Sequence, residues 1–433
     1  MCSKMKVNLF WFRRDLRLID NTALSEALKE KNVKPIFIFD SEILNNLEKE
    51  DARLSFIHSL LTSINTTLKK HQSGVFCYHG SPELIWGQLI SNHDIDTVFW
   101  NKDYEPYAIK RDEKITKLLS KNNIKVKSFK DQVIFEEFEV LKDDKTPYTV
   151  FTPYKNKWLL ALDAINKSNG FNINTQIEFS NFIKESTDMP SLNDLGFIQS
   201  QIIVKPFNFS FLNNYDSIRD FPFKDQTSYL SPHLRFGSIS IRECVNVALE
   251  KNSIFLSELI WREFFMQILF HFPHVVKKSF KSKYDKIKWR NNENEFKKWC
   301  EGNTGYPLVD AGMRQLNKTG YMHNRVRMVV ASFLVKHLLI DWRWGEKYFA
   351  KKLLDFELSS NNGNWQWAAG TGCDSAPYFR IFNPIEQLKK FDSNLIYTKK
   401  WILDLDQESY PAEMVDHKFA RERCLTAYKE GIS

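Results

Sequence analysis

The stretch VNLFWFRRDLRLIDNTALSEALKEKNVKPIFIFD, residues 7–40, sets two near-continuous apolar runs, VNLFWF from Val7 and VKPIFIF from Val33, on either side of a helical pattern from Asn21 to Glu30. Strands apolar at nearly every residue are covered on both faces, and a helix between two of them makes the crossover to a parallel neighbour. The alternation continues outward with a helix from Ala52 to Lys70 and strands VFCYH from Val75, TVFW from Thr97 and IKVKSF from Ile124. Five such strands predict a doubly wound, parallel α/β domain over residues 1–130. The loop after the first strand is Arg13, Arg14, Asp15 rather than G-x-G-x-x-G, so a standard dinucleotide cradle is not expected in it.

From Asp131 to Lys205 the pattern weakens into polar sequence such as KSNGFNINTQ and KESTDMPSLND, which predicts an interdomain connection. Beyond Ser210 the periodicity becomes helical, in ISIRECVNVALEK, LSELIWREFFMQILFHF, YPLVDAGMRQLNKTG and HNRVRMVVASFLVKHLLI. An all-helical domain over 206–433 is expected. It holds Trp261, Trp289, Trp299, Trp342, Trp344, Trp365, Trp367 and Trp401, eight of the twelve tryptophans.

At 43% hydrophobic and 26% charged residues, the composition excludes disordered and fibrous classes. No apolar run reaches the roughly 18 residues of a membrane span, and the first residues lack the apolar core of a signal peptide, so a cytoplasmic protein without membrane attachment is expected. Cys2, Cys77, Cys244, Cys300, Cys373 and Cys424 lie far apart, with no metal-ligand spacing, and read as reduced and structural; no metal site is expected. Residues 1–200 balance 27 Lys and Arg against 27 Asp and Glu, so the whole net charge of +8 falls in the second half. A basic half beside a neutral half fits a polyanionic partner.

Within that half, ELIWREFF places Glu258, Trp261 and Arg262 on one helical face, where an acid, an indole and a guanidinium can hold a planar heterocycle; a plain Glu258–Arg262 pair beside a core tryptophan fits the same spacing. HNRVRM carries Asn324, Arg325, Arg327 and Met328 on a helix too apolar in its continuation to face water, so its polar groups need partners. Trp365 and Trp367, two apart, point to nearly opposite sides of a helix. Thr227, Ser228 and Ser231 precede a helix and can meet phosphate oxygens, or merely cap it. The run KKSFKSKYDKIKWR, with Lys277, Lys278, Lys281, Lys283, Lys286, Lys288 and Arg290, is either a solvated face or a surface that neutralises nucleic-acid phosphates.

Taken together, FWFRRDLRLIDNTAL, YTVFTPYKNKW, TSYLSPHLRFG, ELIWREF, GYPLVDAGMRQL, MHNRVRMVVASFLVKHLLIDWRWGE, NNGNWQWAAGTGCDSAPYFRIFNP and VDHKFARERCL closely resemble the photolyase and cryptochrome flavoproteins, and among them the class I photolyases that repair cyclobutane pyrimidine dimers in DNA. The resemblance spans essentially the whole chain. It implies an N-terminal α/β domain, a helical domain holding FAD, light-dependent repair of damaged DNA by electron transfer to the flipped-out dimer, and a monomer. The rival it brings is a cryptochrome-type photoreceptor without repair activity, against which Asn361 stands, since plant cryptochromes resemble one another in having Asp there.

The implied flavin residues are Tyr215, Thr227, Ser228, Tyr229, Leu230, Ser231, Asn324, Arg327, Asp355, Phe356, Glu357 and Asn361, with Arg327 and Asp355 paired beside the ring and the Asn361 amide near its reactive nitrogen. Glu357 departs from the family's D-x-D pattern at 355–357. The implied dimer cavity is lined by Glu258, Trp261, Arg262, Asn324, Arg325, Met328 and Trp367, with Glu258 donating to an oxygen that gains charge. Trp365, Trp342 and Trp289 match the family's electron relay. The resemblance leaves room for a second, light-collecting chromophore of unassigned identity in the N-terminal domain. Where the folate-carrying branch has an Asn-Glu pair, this chain has Tyr107 and Ala108, which argues against folate.

Overall fold

The computed structural model describes residues 5–168, 170–171 and 173–432, and divides the chain into two units. The first comprises 1–139, 159–206 and 230–247; the second comprises 140–158, 207–229 and 248–433.

In the first unit β1 (Lys6–Phe12), β2 (Val33–Asp40), β3 (Phe76–Gly80), β4 (Asp94–Asn101) and β5 (Lys125–Phe129) form one parallel sheet in the order β3-β2-β1-β4-β5. The alternation of side chains along a strand explains the unbroken apolar runs: Phe10, Phe12, Phe37 and Phe39 pack on one face, and Leu9, Trp11, Ile36 and Ile38 on the other. Helices α1 (Thr22–Ala27), α2 (Ala52–Lys69), α3 (Pro82–Asn92) and α4 (Pro106–Lys121) make the crossovers. The helix expected at Asn21 begins there because the Asn21 side chain accepts the backbone N–H of Leu24 at 3.1 Å. Pro35 stands inside β2 opposite Phe10 of β1, one residue before β3 joins at Ile36.

The stretch 131–205 carries long-range anchors. Asp131 is buried, accepting from Arg17 and Arg242, and Phe182 belongs to a core of the sheet while bridging Val33. Within it runs α5 (Phe151–Ser168), whose buried Phe151, Tyr154, Trp158 and Leu162 repeat at helical spacing. Two further helices, α6 (Leu230–Phe236) and α7 (Ile241–Lys251), precede the main helical region.

The second unit is built from α8 (Ser253–His271), α9 (Glu293–Glu301), α10 (Pro307–Thr319), α11 (Asn324–Ser332), α12 (Trp342–Lys352), α13 (Leu358–Ala369), α14 (Pro384–Phe391), α15 (Ile396–Trp401) and α16 (His417–Ile432). Its core joins Trp299, Val330, Phe333, Trp342, Phe349 and Trp365. The helical pattern of 323–340 does not form one helix: α11 widens into a π turn over Phe333–His337, which buries Lys336 and His337. Cys77, Cys244, Cys300, Cys373 and Cys424 are free thiols, whereas Cys2 lies outside the described residues.

Candidate active site

Asn252 caps α8 by accepting the N–H groups of Ile254 and Phe255, and the helix then presents Glu258, Trp261 and Arg262 along one side. The Glu258–Arg262 pair allowed by their spacing does not form. Arg219, after the short helical turn Tyr215–Ile218, lies 2.8 Å from Glu258, and Arg262 donates instead to Glu357 at 3.2 Å. A solvent-exposed pair one helical turn apart is worth only a few tenths of a kcal/mol, so part-buried partners from other segments prevail. Arg219 also stacks on Tyr215, 5.3 Å from its ring centre, and Tyr215 abuts Phe255 of α8. Burial, then the neighbouring Glu258 charge, pushes the Tyr215 hydroxyl above the ordinary phenol range.

The expected pairing of Arg327 with Asp355 is present at 2.8 Å, and Arg327 is aimed by a second bond from its Nε to the carbonyl of Met322. Asn361, in the second turn of α13, donates from Nδ2 to both the backbone oxygen and Oε1 of Glu346, each at 3.0 Å. With its amide hydrogens so committed, Asn361 keeps its carbonyl oxygen for another partner. Burial pushes the Glu346 carboxyl above the ordinary range while the bond from Asn361 opposes the shift. Glu357, the departure from the family pattern, precedes α13 as its N-cap residue; its side chain accepts from Arg262 and Ser360. Phe356 packs against the helical core.

Asn324 is the exposed first residue of α11, Arg325 donates to Asp220 at 2.7 Å and lies over Phe391, and Met328 is half-buried. Thr227, Ser228 and Tyr229 close a segment of the second unit, with Tyr229 at a φ of 49° and its hydroxyl on Asp225; Leu230 and Ser231 begin α6 in the first unit. The donor set suits a polar heteroaromatic cofactor. Arg327, Asp355, Glu357 and Asn361 are polar groups gathered in an apolar helical unit, and the buried Ser359 hydroxyl in the first turn of α13 has no partner among the described residues.

Aromatic residues pack along the same helices. Trp261 stacks on Phe151 with ring centres 3.7 Å apart and planes 7° apart, and touches Phe265. Phe265 seats against Gly363, where a Cβ would collide with its ring, so α8 and α13 pack tightly there. Gly363 and Trp367 are four apart on one side of α13, which brings Trp367 onto the side of the helix that meets α8. Trp365 points elsewhere, against Gly345 and 5.0 Å from Phe349. Trp342, Gly345 and Phe349 share one face of α12, so Trp365 packs one turn along from Trp342. Trp289 meets the buried Tyr428 edge-on at 5.9 Å.

Sequence inspection missed three members of this arrangement: Arg219, Glu346 and Phe151. Glu346 stands inside DWRWGE, and only the register of α12 against α13 marks it. Arg219 and Phe151 come from segments distant in sequence, and no spacing rule reaches them.

This geometry accompanies a two-part family match. Residues 8–169 match the DNA photolyase family model, and residues 255–409 match the FAD-binding domain of DNA photolyase. The chain is 36% identical over 475 aligned positions, 97% of each chain, to a deoxyribodipyrimidine photo-lyase of Agrobacterium fabrum. Among solved structures, a bacterial class III photolyase from Agrobacterium tumefaciens superposes with a TM-score of 0.87 at 34% identity, covering 100% of this chain and 98% of that one. An archaeal photolyase from Sulfolobus tokodaii, solved with two FAD molecules, gives 0.84 at 35% identity over 98% of this chain and all of its own. The fold and the matched domains are those of light-dependent flavoproteins that bind FAD in a helical domain. The chain belongs to the photolyase and cryptochrome family.

Proposed function

We infer that the protein is a light-dependent deoxyribodipyrimidine photo-lyase, which binds FAD and repairs pyrimidine dimers in DNA. The observation that carries this reading is the near-complete alignment with enzymes of that name, joined to a helical unit in which Arg327 pairs with Asp355 and Asn361 with Glu346. Reduced FAD, when bound and excited by light, would supply an electron for repair of the dimer. Tyr215, Thr227, Ser228, Arg327, Asp355 and Asn361 would hold it, with the Asn361 amide fixed through Glu346.

The remaining roles belong to the chain's own side chains. Photolyases are among the enzymes that extrude the base they act on. A dimer stacks poorly, which lowers the cost of extrusion, and Trp261, backed by Phe151, and Trp367 would pack its rings. Glu258 and Arg219 would meet its polar edge, with Asn324, Arg325 and Met328 along the wall. Such fixed polar groups contribute most where water is excluded. Trp365, Trp342 and Trp289 would pass electrons inward from the surface. A light-collecting chromophore suits the first unit at the carboxyl ends of β1 and β4, where strand order reverses and Arg14 pairs with Asp103 and Glu105. The protein would act as a monomer in the cytoplasm.

Illumination of the reduced protein with a dimer-containing oligonucleotide tests the reading. Loss of dimers in the light and not in the dark is expected. Bound reduced flavin with no loss of dimers would overturn it.

A further inference from the structure

Three successive residues of α13 face three different surroundings, because each step along a helix turns the side chain by about 100°. Trp365 enters the core, Trp367 faces the α8 side, and Gln366 between them turns to the loop that opens the lysine-rich run. Gln366 is buried, and every polar atom of its amide is engaged. Its Nε2 donates to the carbonyls of Val275 at 3.0 Å and Lys278 at 3.2 Å and to Asn362 Oδ1, and its Oε1 accepts from the backbone N–H of Phe280 at 2.8 Å and from Thr371. Asn362, one turn earlier and also buried, donates to the same Val275 carbonyl at 3.0 Å. The loop is fixed at further points, by Arg343 donating to the carbonyl of Lys277 and by the N–H of Lys281 donating to the carbonyl of Thr371.

The bonds to Val275, Lys277, Lys278, Phe280 and Lys281 hold main-chain atoms of the loop, while the side chains of Lys277 and Lys278 stay exposed. A merely solvated basic face has no need of two buried amides under its backbone. Rigid mounting does help a surface that must match a repeating polyanion, because cations fixed beforehand lose less freedom on binding. We propose that Gln366, assisted by Asn362, is a positioning residue that sets Lys277 and Lys278 as a phosphodiester-binding rack in fixed register with Trp367. This rests on the reading that damaged DNA is the substrate.

Binding of a dimer-containing duplex, followed by fluorescence anisotropy from low to physiological salt, tests it. K277Q/K278Q should flatten the log–log salt dependence by about 1.8, the release expected for two phosphates. Q366M should weaken binding about tenfold in the wild-type background but by less than about twofold in K277Q/K278Q, since the two changes act on one contact. Flavin content and photoreduction serve as the check on folding. An unchanged slope in K277Q/K278Q overturns the proposal and decides it alone should Q366M not fold. A Q366M cost equal in both backgrounds overturns it as well, leaving Gln366 a structural amide. If the wild-type protein fails to bind the duplex, the parent reading falls first and takes this one with it.

Discussion

Arg219 Nη1 lies 2.8 Å from Glu258 Oε1, so the acid that faces the expected dimer cavity is held from outside its own helix. Both side chains keep about a quarter to a third of their surface in water, at 24% and 33% exposure, and the pair is therefore free to exchange partners when a substrate arrives.

Glu258→Ala should weaken binding of dimer-containing DNA about tenfold, the loss of one charge-assisted hydrogen bond worth about 1.5 kcal/mol, and should lower repair per absorbed photon. Flavin content and photoreduction should stay intact. A variant with lower thermal stability but unchanged repair per photon would reduce Glu258 to a steadying partner of Arg219.

Arg327→Leu leaves Asp355 buried without its cation, and breaking such a pair costs about 3 kcal/mol or more. The purified variant should carry little flavin, judged by its visible absorption. Full flavin occupancy would place the Arg327–Asp355 pair outside the cofactor site.

Trp342→Phe or Trp289→Phe should block light-driven reduction of the oxidised flavin by more than about tenfold, because one indole fewer leaves a gap of many ångströms and each lost decade needs only about 1.4 kcal/mol of added barrier. Repair by chemically reduced enzyme should survive. Gly345→Ala probes the same relay without removing an indole: its Cβ would strike Trp365, and overpacking of this kind costs about 1–3 kcal/mol and displaces the ring. Normal transient photoreduction in all three would assign these tryptophans to packing.

A pH dependence is built into the end of the chain. His337, fully buried on the π turn, contacts His417 at the start of α16 through a nitrogen-to-nitrogen hydrogen bond of 2.8 Å. Burial, then the charges of His417 and Arg423, pushes the His337 imidazole down to about 3. His417 is lowered too, by burial and Arg421, against the opposing pull of Asp416 and Glu413. The neutral forms belong to the folded state, so their stabilisation is complete above the unfolded value of about 6.5 and is lost as pH falls from there toward 3. For His337 the loss approaches about 1.4 kcal/mol per pH unit. Urea unfolding at pH 7.5 and 5.5 should show it, and His337→Phe should flatten the difference; equal slopes in both proteins would count against the pair.

The layered α/β domain was legible because its strands are apolar at alternate and intervening positions alike, and only burial on both faces explains that in Phe10, Trp11 and Phe12. The helical half showed itself through periodicity, and Glu258, Trp261, Arg327 and the paired Trp365 and Trp367 stood out as polar and aromatic groups inside apolar segments, whereas Asp355 came only from the family resemblance. What one-dimensional spacing conceals is which partner wins. Glu258 and Arg262 are neighbours on a helix yet take Arg219 and Glu357, because ion pairs follow distance and burial rather than sequence separation. The stretch from Asp131 to Lys205 reads as an interdomain connection because its polar residues outnumber its anchors, and its anchors Asp131 and Phe182 are held by residues far away in the chain. Composition, motif and period thus determined the class of fold and the kind of site. The pairing of Asn361 with Glu346, the backing of Trp261 by Phe151 and the mounting of the lysine loop on Gln366 were decided only by tertiary packing, since each joins segments whose approach no local propensity encodes.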